Sequence, residues 1–298
     1  MAVLPRICCL ALPRSGSPGY SRDMSPMMEL IDIARLEEAR VARGVSEIAD
    51  DTRPFAGGTM NRASPGSWPN AAYGAGFNGP VEPREVRTLI DYYTSRGIEP
   101  RVELAPFADP SLVRHLAAEG FVVKLFENVF YRPIAHEERF TTPHPPPAGL
   151  SIRRINPADS ALVDEYARIA ISGFMPDGIT PPDDLVEAAR RVARHARTTA
   201  VSAFLGGRMV AAGAVEVAGD IAALFGVSVI PEARRMGVQQ AMLAWRLRYA
   251  AENNARFATI GARPGIATER NARRMGFQVA YTKAILIRPG EGLVGVLE

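Results

Sequence analysis

Five residues of this 298-residue chain recur at one fixed spacing, and that recurrence limits the fold more than composition does. Gly120, Phe121, Val123, Arg132 and Pro133 match Gly276, Phe277, Val279, Arg288 and Pro289 without a gap, 156 residues further on (Gly120 to Gly276). Chance accounts poorly for five matches within 14 positions. Upstream, Gly74-Ala75-Gly76-Phe77 can be laid on Gly226-Val227-Ser228-Val229, and a helical pattern follows each. The chain reads as two copies of one fold, the first having diverged. Between them, Pro143, Pro145, Pro146 and Pro147 crowd the segment Thr141 to Gly149. Such a segment sustains neither a helix nor a central strand and reads as a stiff linker.

Before the linker, the pattern gives helices near 29–43, 83–95 and 110–119 and a strand near 101–104. The Gly-, Pro- and Asn-rich stretch 54–80 shows no clear period. After it come a strand at 150–155 and a helix opened by Asn156-Pro157, then a helix over 183–197. Strands at 199–205, 208–217 and 221–229 follow, separated by the hairpin signals Gly206-Gly207 and Gly219-Asp220. A helix over 237–253, a strand at 256–261, a helix at 268–275 and strands from Phe277 to Arg288 complete the order. The fold class is α/β with mixed sheets.

Composition narrows the functions. Hydrophobic residues make up 47% and charged residues 22%, as in a soluble globular protein. A net charge of +3 without a clustered basic face argues against nucleic acid as a partner. No apolar run approaches the roughly 20 residues that span a bilayer, so no membrane partner is expected. The only cysteines, Cys8 and Cys9, are adjacent and cannot staple distant segments, which favours a reducing, cytoplasmic setting. Residues 1–27 are expected to be a disordered extension, with Met24, Met27 and Met28 as alternative starts. No metal is called for.

The strongest site signal is the segment Ala222 to Leu243, where an apolar strand ends at Pro231 and runs through Arg234-Arg235-Met236-Gly237-Val238-Gln239 into a helix. Backbone N–H groups at a helix start have no intrahelical partner, and the helix dipole favours an anion there. Gly237 permits close approach and Arg234 and Arg235 add positive charge, so the turn can bind phosphate. An ordinary basic surface turn is the competing reading.

Arg234 to Gln239 resembles the acetyl-CoA motif Q/R-x-x-G-x-G/A of the GNAT superfamily of N-acetyltransferases, matching at Arg234 and Gly237. Gln239 stands where Gly or Ala is usual, and its side chain either crowds the loop or points sideways. The element order and Arg273-Arg274-Met275-Gly276-Phe277 are also similar to GNAT domains, and the resemblance covers nearly all of 150–289. It implies two GNAT-like domains in tandem, each a central mixed β-sheet flanked by helices: a degenerate one over 28–140, the linker 141–149, and an N-acetyltransferase domain over 150–298. The implied activity moves an acetyl group from acetyl-CoA, the co-substrate, to an amine of a small molecule or peptide. The alternative is a catalytically reduced acyl-CoA-binding module with a regulatory or partner-binding role.

From the family, the backbones of Val227 and Val229 are expected to contact the pantetheine arm. Met236, Gly237, Val238 and Gln239, with Arg234 and Arg235, are expected to hold the pyrophosphate. Asn271 is a candidate for the pantetheine or thiol end. Many family members carry a general-acid Tyr where this chain has Ala272. A thiol of ordinary pKa near 8.5 leaves tolerably without one, and Tyr281 is the substitute if its hydroxyl faces the cleft. An ammonium acceptor must lose a proton before attack, and Glu216 is the candidate base. Asp177, Asp183, Asp184 and Glu187 lie where such domains often cover the acceptor, weakly favouring a cationic amine. In the first copy the corresponding turn is Asn78-Gly79-Pro80-Val81-Glu82-Pro83, which offers few donors and a carboxylate, so one bound CoA is expected.

Overall fold

The protein is described by a computed structural model covering residues 29–135, 137–176 and 178–296; the N-terminal extension 1–27 lies outside the described residues. Before the proline-rich segment come α1 (Leu30–Ile48), β1 (Asp51–Phe55), β2 (Gly58–Arg62), β3 (Ala71–Tyr73), α2 (Pro83–Thr94), β4 (Arg101–Leu104), α3 (Pro110–Ala118) and β5 (Val122–Pro133). After it come β6 (Ser151–Arg154), α4 (Ser160–Ser172), α5 (Asp183–Arg194), β7 (Thr198–Leu205), β8 (Arg208–Ala218), β9 (Ile221–Val229), α6 (Val238–Glu252), β10 (Phe257–Ala262), α7 (Ala267–Arg274) and β11 (Gln278–Ile287).

Two local expectations change. The stretch 54–80, in which no element was placed, holds the end of β1 and all of β2 and β3. Pro54 is tolerated because β1 is the edge strand, where a missing N–H breaks no ladder. At three residues, β3 is too short to display alternation. The helix placed after Asn156-Pro157 begins instead at Ser160, because Asn156 Oδ1 accepts from Ala158 N–H in a local turn. The Asp159 side chain then caps the helix by accepting from the N–H groups of Ala161 and Leu162.

The larger correction concerns the sheet. Two separate sheets were expected; the strands form one continuous sheet of 11, in the order β1-β2-β3-β4-β11-β5-β10-β9-β8-β7-β6. The last strand of each half sits beside the penultimate strand of the other: β11 pairs with β4, and β5 pairs with β10. The two exchanged strands pair with each other in antiparallel register. That register carries the sequence repeat. Val123 pairs with Leu286 and Phe130 with Val279, Leu125 with Ile285 and Val129 with Tyr281, Phe126 with Ala284 and Asn128 with Thr282. Moving a β5 residue forward by the repeat spacing, and its β11 partner back, turns each of these pairs into its companion. Even the two register shifts correspond. Glu127 and Lys283 pair with each other and lie on the local two-fold. The symmetry extends outward: Leu104 faces Ala284 as Ala262 faces Asn128, and Glu103 faces Ile285 as Gly261 faces Val129. β3 runs parallel to β4, as β9 does to β10.

Both faces are covered. Ala258 and Ile260 pack with α6 and α7 residues, including Leu247 and Ala272, while the intervening Thr259 hydroxyl donates to Glu37 of α1 at 2.9 Å. Helices α1, α4 and α5 thus occupy one face and α2, α3, α6 and α7 the other. Among the described residues no helix is long and apolar enough to cross a membrane.

α1 meets the two-fold through charge. Lys283, 2% exposed, ion-pairs with Glu38 of α1 at 3.0 Å and with Glu103 of β4 at 3.3 Å. Removing one member of a buried charge network strands the others without compensation. Lys283→Ala is therefore expected to lower stability by ~3–5 kcal/mol in urea unfolding. A loss near that of an exposed lysine, under about 0.5 kcal/mol, would mean that the crossing does not hold the sheet together.

Candidate functional site

β9 and β10 pair only at Phe257–Ile221, Ala258–Ala222 and Thr259–Ala223, although β9 continues to Val229 and β10 to Ala262. Beyond Thr259 the facing backbone groups are not paired with one another. On its other side β9 bulges: Ala212 faces Ser228 and Ala214 faces Phe225, so β9 carries an extra residue at Gly226–Val227. A bulge bends its strand and re-aims the backbone. Val227 and Val229 lie on this half-buried segment, with backbone groups along the splay.

Arg246, which no sequence pattern singled out, braces the bulge from α6. Its fully buried guanidinium donates from Nη1 to the carbonyls of Ala214 at 3.2 Å and Phe225 at 3.4 Å, and from Nε to Met242 O at 3.2 Å. Burial lowers its pKa to about 10, still charged at neutral pH. An arginine satisfied by carbonyls has no periodic signature, and only the register shift explains its place.

From β9 the chain turns through a short 3-10 segment, Pro231–Ala233, into α6. Arg235 has φ 63° and Gly237 φ 81°, both left-handed, with exposed Met236 between them. Gly237 is the N-cap of α6 and makes no side-chain capping bond, so the first-turn N–H groups of α6, starting at Val238, have no side-chain acceptor at the cap. Arg234, Arg235 and Met236 are exposed, and Arg234 Nε donates to Val229 O at 3.2 Å. The proline-rich segment is more than a spacer: a Cβ on Gly237 would stand 3.6 Å from Pro145 O.

Gln239 points sideways. Its Nε2 donates to Thr268 Oγ1 at 3.1 Å and its Oε1 accepts from Asn271 Nδ2 at 2.6 Å. Asn271 Oδ1 accepts from Gln240 Nε2 at 3.1 Å. Gln239 and Asn271 thus tie α6 to α7, and Gln239 does not fill the turn.

The two proposed catalytic residues are placed differently from their expected roles. Glu216 is buried, and its carboxylate accepts from Arg40 at 2.9 Å, Arg43 at 3.2 Å and Arg197 at 3.2 Å. Three guanidiniums share its oxygens, so it clamps α1 to β8 from within an ion-pair network. Tyr281 faces α1: its hydroxyl donates to Glu38 Oε1 at 2.6 Å, and burial first, then the Glu38 charge, raise its pKa. It does not face an open cleft. Asp177 lies outside the described residues. Asp183 ion-pairs with Arg168 of α4 and with Arg190 of α5, tying the two helices together, while Glu187 pairs with Arg190 and Arg191 of its own helix. Hydrogen bonds from Arg190 and Arg168 hold the Asp183 carboxyl below its ordinary pKa.

A polar cluster beneath α1 escaped the sequence reading. Glu37, Glu38, Glu103, Glu127, Arg101, Tyr281 and Lys283 converge there from α1, β4, β5 and β11. Burial would raise the Glu37 carboxyl, but the charge and hydrogen bonds of Arg40 carry it below its ordinary pKa. Glu38 is raised by burial, only partly offset by Lys283. Glu127 is pushed up to about 7 by burial and by neighbouring Glu103.

No family profile and no curated protein matches the sequence. Solved structures do match. A GCN5-related N-acetyltransferase from Kribbella flavida superposes with a TM-score of 0.60 at 20% identity, covering 86% of this chain and 97% of that one. A functionally unknown conserved protein from Staphylococcus epidermidis ATCC 12228 gives 0.55 at 12% identity, covering 81% and 93%. A protein from the GNAT family of Novosphingobium aromaticivorans DSM 12444 gives 0.52 at 14% identity, covering 86% and 97%. The splayed strands, the bulge and the uncapped helix after them therefore belong to a chain with the mixed α/β fold of GNAT proteins.

Proposed function

We propose that the protein is an acyl-CoA N-acyltransferase that moves an acetyl group from acetyl-CoA to an amine of a small molecule or peptide. The observation that carries this reading is the splay of β9 from β10, leading directly to the uncapped start of α6 at Gly237. The splay supplies unpaired backbone groups for a pantetheine arm along Val227 and Val229. The turn supplies N–H groups and the charges of Arg234 and Arg235 for a pyrophosphate, from Met236 to Gln239. Asn271 acts here by holding Gln239 and Gln240 in place at the helix start. Rate acceleration comes from holding amine and thioester together and polarising the thioester carbonyl with backbone donors.

The finer organisation we infer is a duplication: a diverged copy over 28–140, the segment 141–149, and the CoA-binding copy over 150–298. The two-fold register between β5 and β11 supports it. In the first half, the helix corresponding to α6 is α2, and its start is closed. Glu82 and Glu85 form a capping box in which the carboxylates take up the free N–H groups, and Pro83 sits in the first turn. A second phosphate would meet two carboxylates there, so one CoA binds per chain.

Gly237→Asp is expected to abolish CoA binding in calorimetry, since it adds a side chain and a negative charge at the phosphate turn. Unchanged affinity with a native circular dichroism spectrum would exclude the turn. Native mass spectrometry at saturating CoA should show one bound molecule in the parent and none in Gly237→Asp. A second molecule that survives the substitution would place a site in the first half. Thiol release from acetyl-CoA across amines, polyamines, amino acids and aminoglycosides tests the activity itself. Binding without any release would favour an acyl-CoA-binding regulatory module.

A further inference from the structure

We propose that Glu127, delivered to the second half's sheet by the last strand of the first half, is the general base that takes a proton from a cationic amine acceptor beside Gly261. The proposal rests on the acyl-transfer reading above and assigns the base that Glu216 does not supply.

The local two-fold carries the argument. It exchanges Lys283 with Glu127 and Glu103 with Gly261. On one side of the axis the position next to Lys283 carries a carboxylate, and the two ion-pair at 3.3 Å. On the other side the same position is Gly261, which has no side chain. The Glu127 carboxylate lies directly on its backbone, and a Cβ on Gly261 would stand 2.9 Å from Glu127 Oε1. Gly261 belongs to the part of β10 that has parted from β9. The carboxylate therefore stands at the wall of the splay that would receive the thioester.

Charge and access distinguish Glu127 from its neighbours. Facing it are Glu103 and Arg101 from β4, Lys283 from β11, Glu38 from α1 and the Tyr73 hydroxyl from β3. Lys283 is engaged by Glu38 and Glu103, and Arg101 ion-pairs with Glu103 at 3.6 Å. Among the described residues no hydrogen bond or ion pair reaches the Glu127 carboxylate. Glu38 and Lys283 are enclosed, while Glu127, like Glu103 and Arg101, is half-buried; Glu103 is already engaged by Lys283 and Arg101, which leaves Glu127 as the carboxylate of the cluster open to a ligand. Burial and the Glu103 charge hold its pKa at about 7, against the opposing pull of Lys283. A base of that strength is matched to work at neutral pH. A cationic acceptor would also supply the positive charge that this carboxylate lacks.

The step balances as follows. The ammonium gives one proton to the Glu127 carboxylate, and the freed nitrogen lone pair attacks the thioester carbonyl carbon. As the C–S bond breaks, the thiolate leaves with the second nitrogen proton, giving amide and thiol. Glu127 then returns its proton to solvent. The ionised carboxylate is the working form, and its pKa is raised, so activity should rise with pH through about 7 and be lost as pH falls below it.

The test is thiol release by the full chain from acetyl-CoA with spermidine, tobramycin or lysine amide, from pH 5.5 to 8.5, alongside CoA calorimetry. Expected are an acidic limb in the parent and, in Glu127→Gln, a fall in kcat/KM on the order of 100-fold with the limb gone and CoA affinity unchanged. Glu127→Asp, whose carboxylate is shorter by one methylene, should keep the limb at a reduced rate. It carries the test should Glu127→Gln fail to fold. An active parent whose limb persists in Glu127→Gln, or vanishes in Glu127→Asp, overturns the assignment of the base alone. A parent that binds CoA yet releases thiol with none of the amines overturns the acyl-transfer reading, and this inference with it.

Discussion

Everything in this molecule depends on one antiparallel crossing, β5 against β11, where each half of the chain completes the other's sheet. Without β5, β10 would present a row of unpaired N–H and C=O groups, and without β11, β4 would do the same. The halves therefore cannot be mechanically separate beads on a linker, although the proline-rich segment between them reads as one. The repeated residues bracket these two strands: Gly120-Phe121 lead into β5 as Gly276-Phe277 lead into β11, and Arg132-Pro133 end the one as Arg288-Pro289 follow the other. A two-fold pairing requires both to suit the same register and the same pair of irregularities, whereas the outer strands answer only to their own half.

The axis is where the symmetry has been spent on chemistry. At a true two-fold, the central pair would be two copies of one residue, and two like charges in contact would repel. Here it is Glu127 and Lys283, opposite in sign, so the two sides need not be equivalent. Lys283 draws in Glu38 and Glu103 and fixes α1 over the sheet; Glu127 faces a glycine. One side of the axis became a buried ion-pair network and the other retained a reachable carboxylate. Buried networks of this kind contribute little net stability over an apolar core, but they tolerate the loss of a partner badly, which makes the docking of α1 specific.

How much was legible in the sequence follows from how local each cause is. β4 at Arg101–Leu104 and β9 at Ile221–Val229 coincide with the segments read from alternation and turn residues, because those signals lie within the segments themselves. The strand exchange was hidden, since the repeat shows that two segments are alike and says nothing about which neighbour each will take. Glu216 looked like a solvated or catalytic carboxylate because its partner Arg40 lies 176 residues away, and Tyr281 because Glu38 lies 243 residues away. Gln239 could not be oriented until α7 was placed beside it. The turn proposed to hold phosphate was the most legible part of the candidate site, being contiguous from Val229 to Gln239.

The helix starts that follow β3 and β9 satisfy the same backbone requirement in different ways. Both are turns from a parallel strand into a helix, and both must satisfy first-turn N–H groups. α2 does so internally, with Glu82 accepting from the backbone and Glu85 reaching back to the Glu82 N–H. α6 begins at a left-handed Gly237 with no side chain to cap it and arginines beside it. An N-cap contributes about 0.5–2 kcal/mol to a helix, little enough for tertiary packing to offset, so either solution folds. Only the uncapped one leaves donors for a ligand. On the reading proposed above, the half whose helix start is closed contributes instead the strand that carries Glu127, and the site is assembled from both halves.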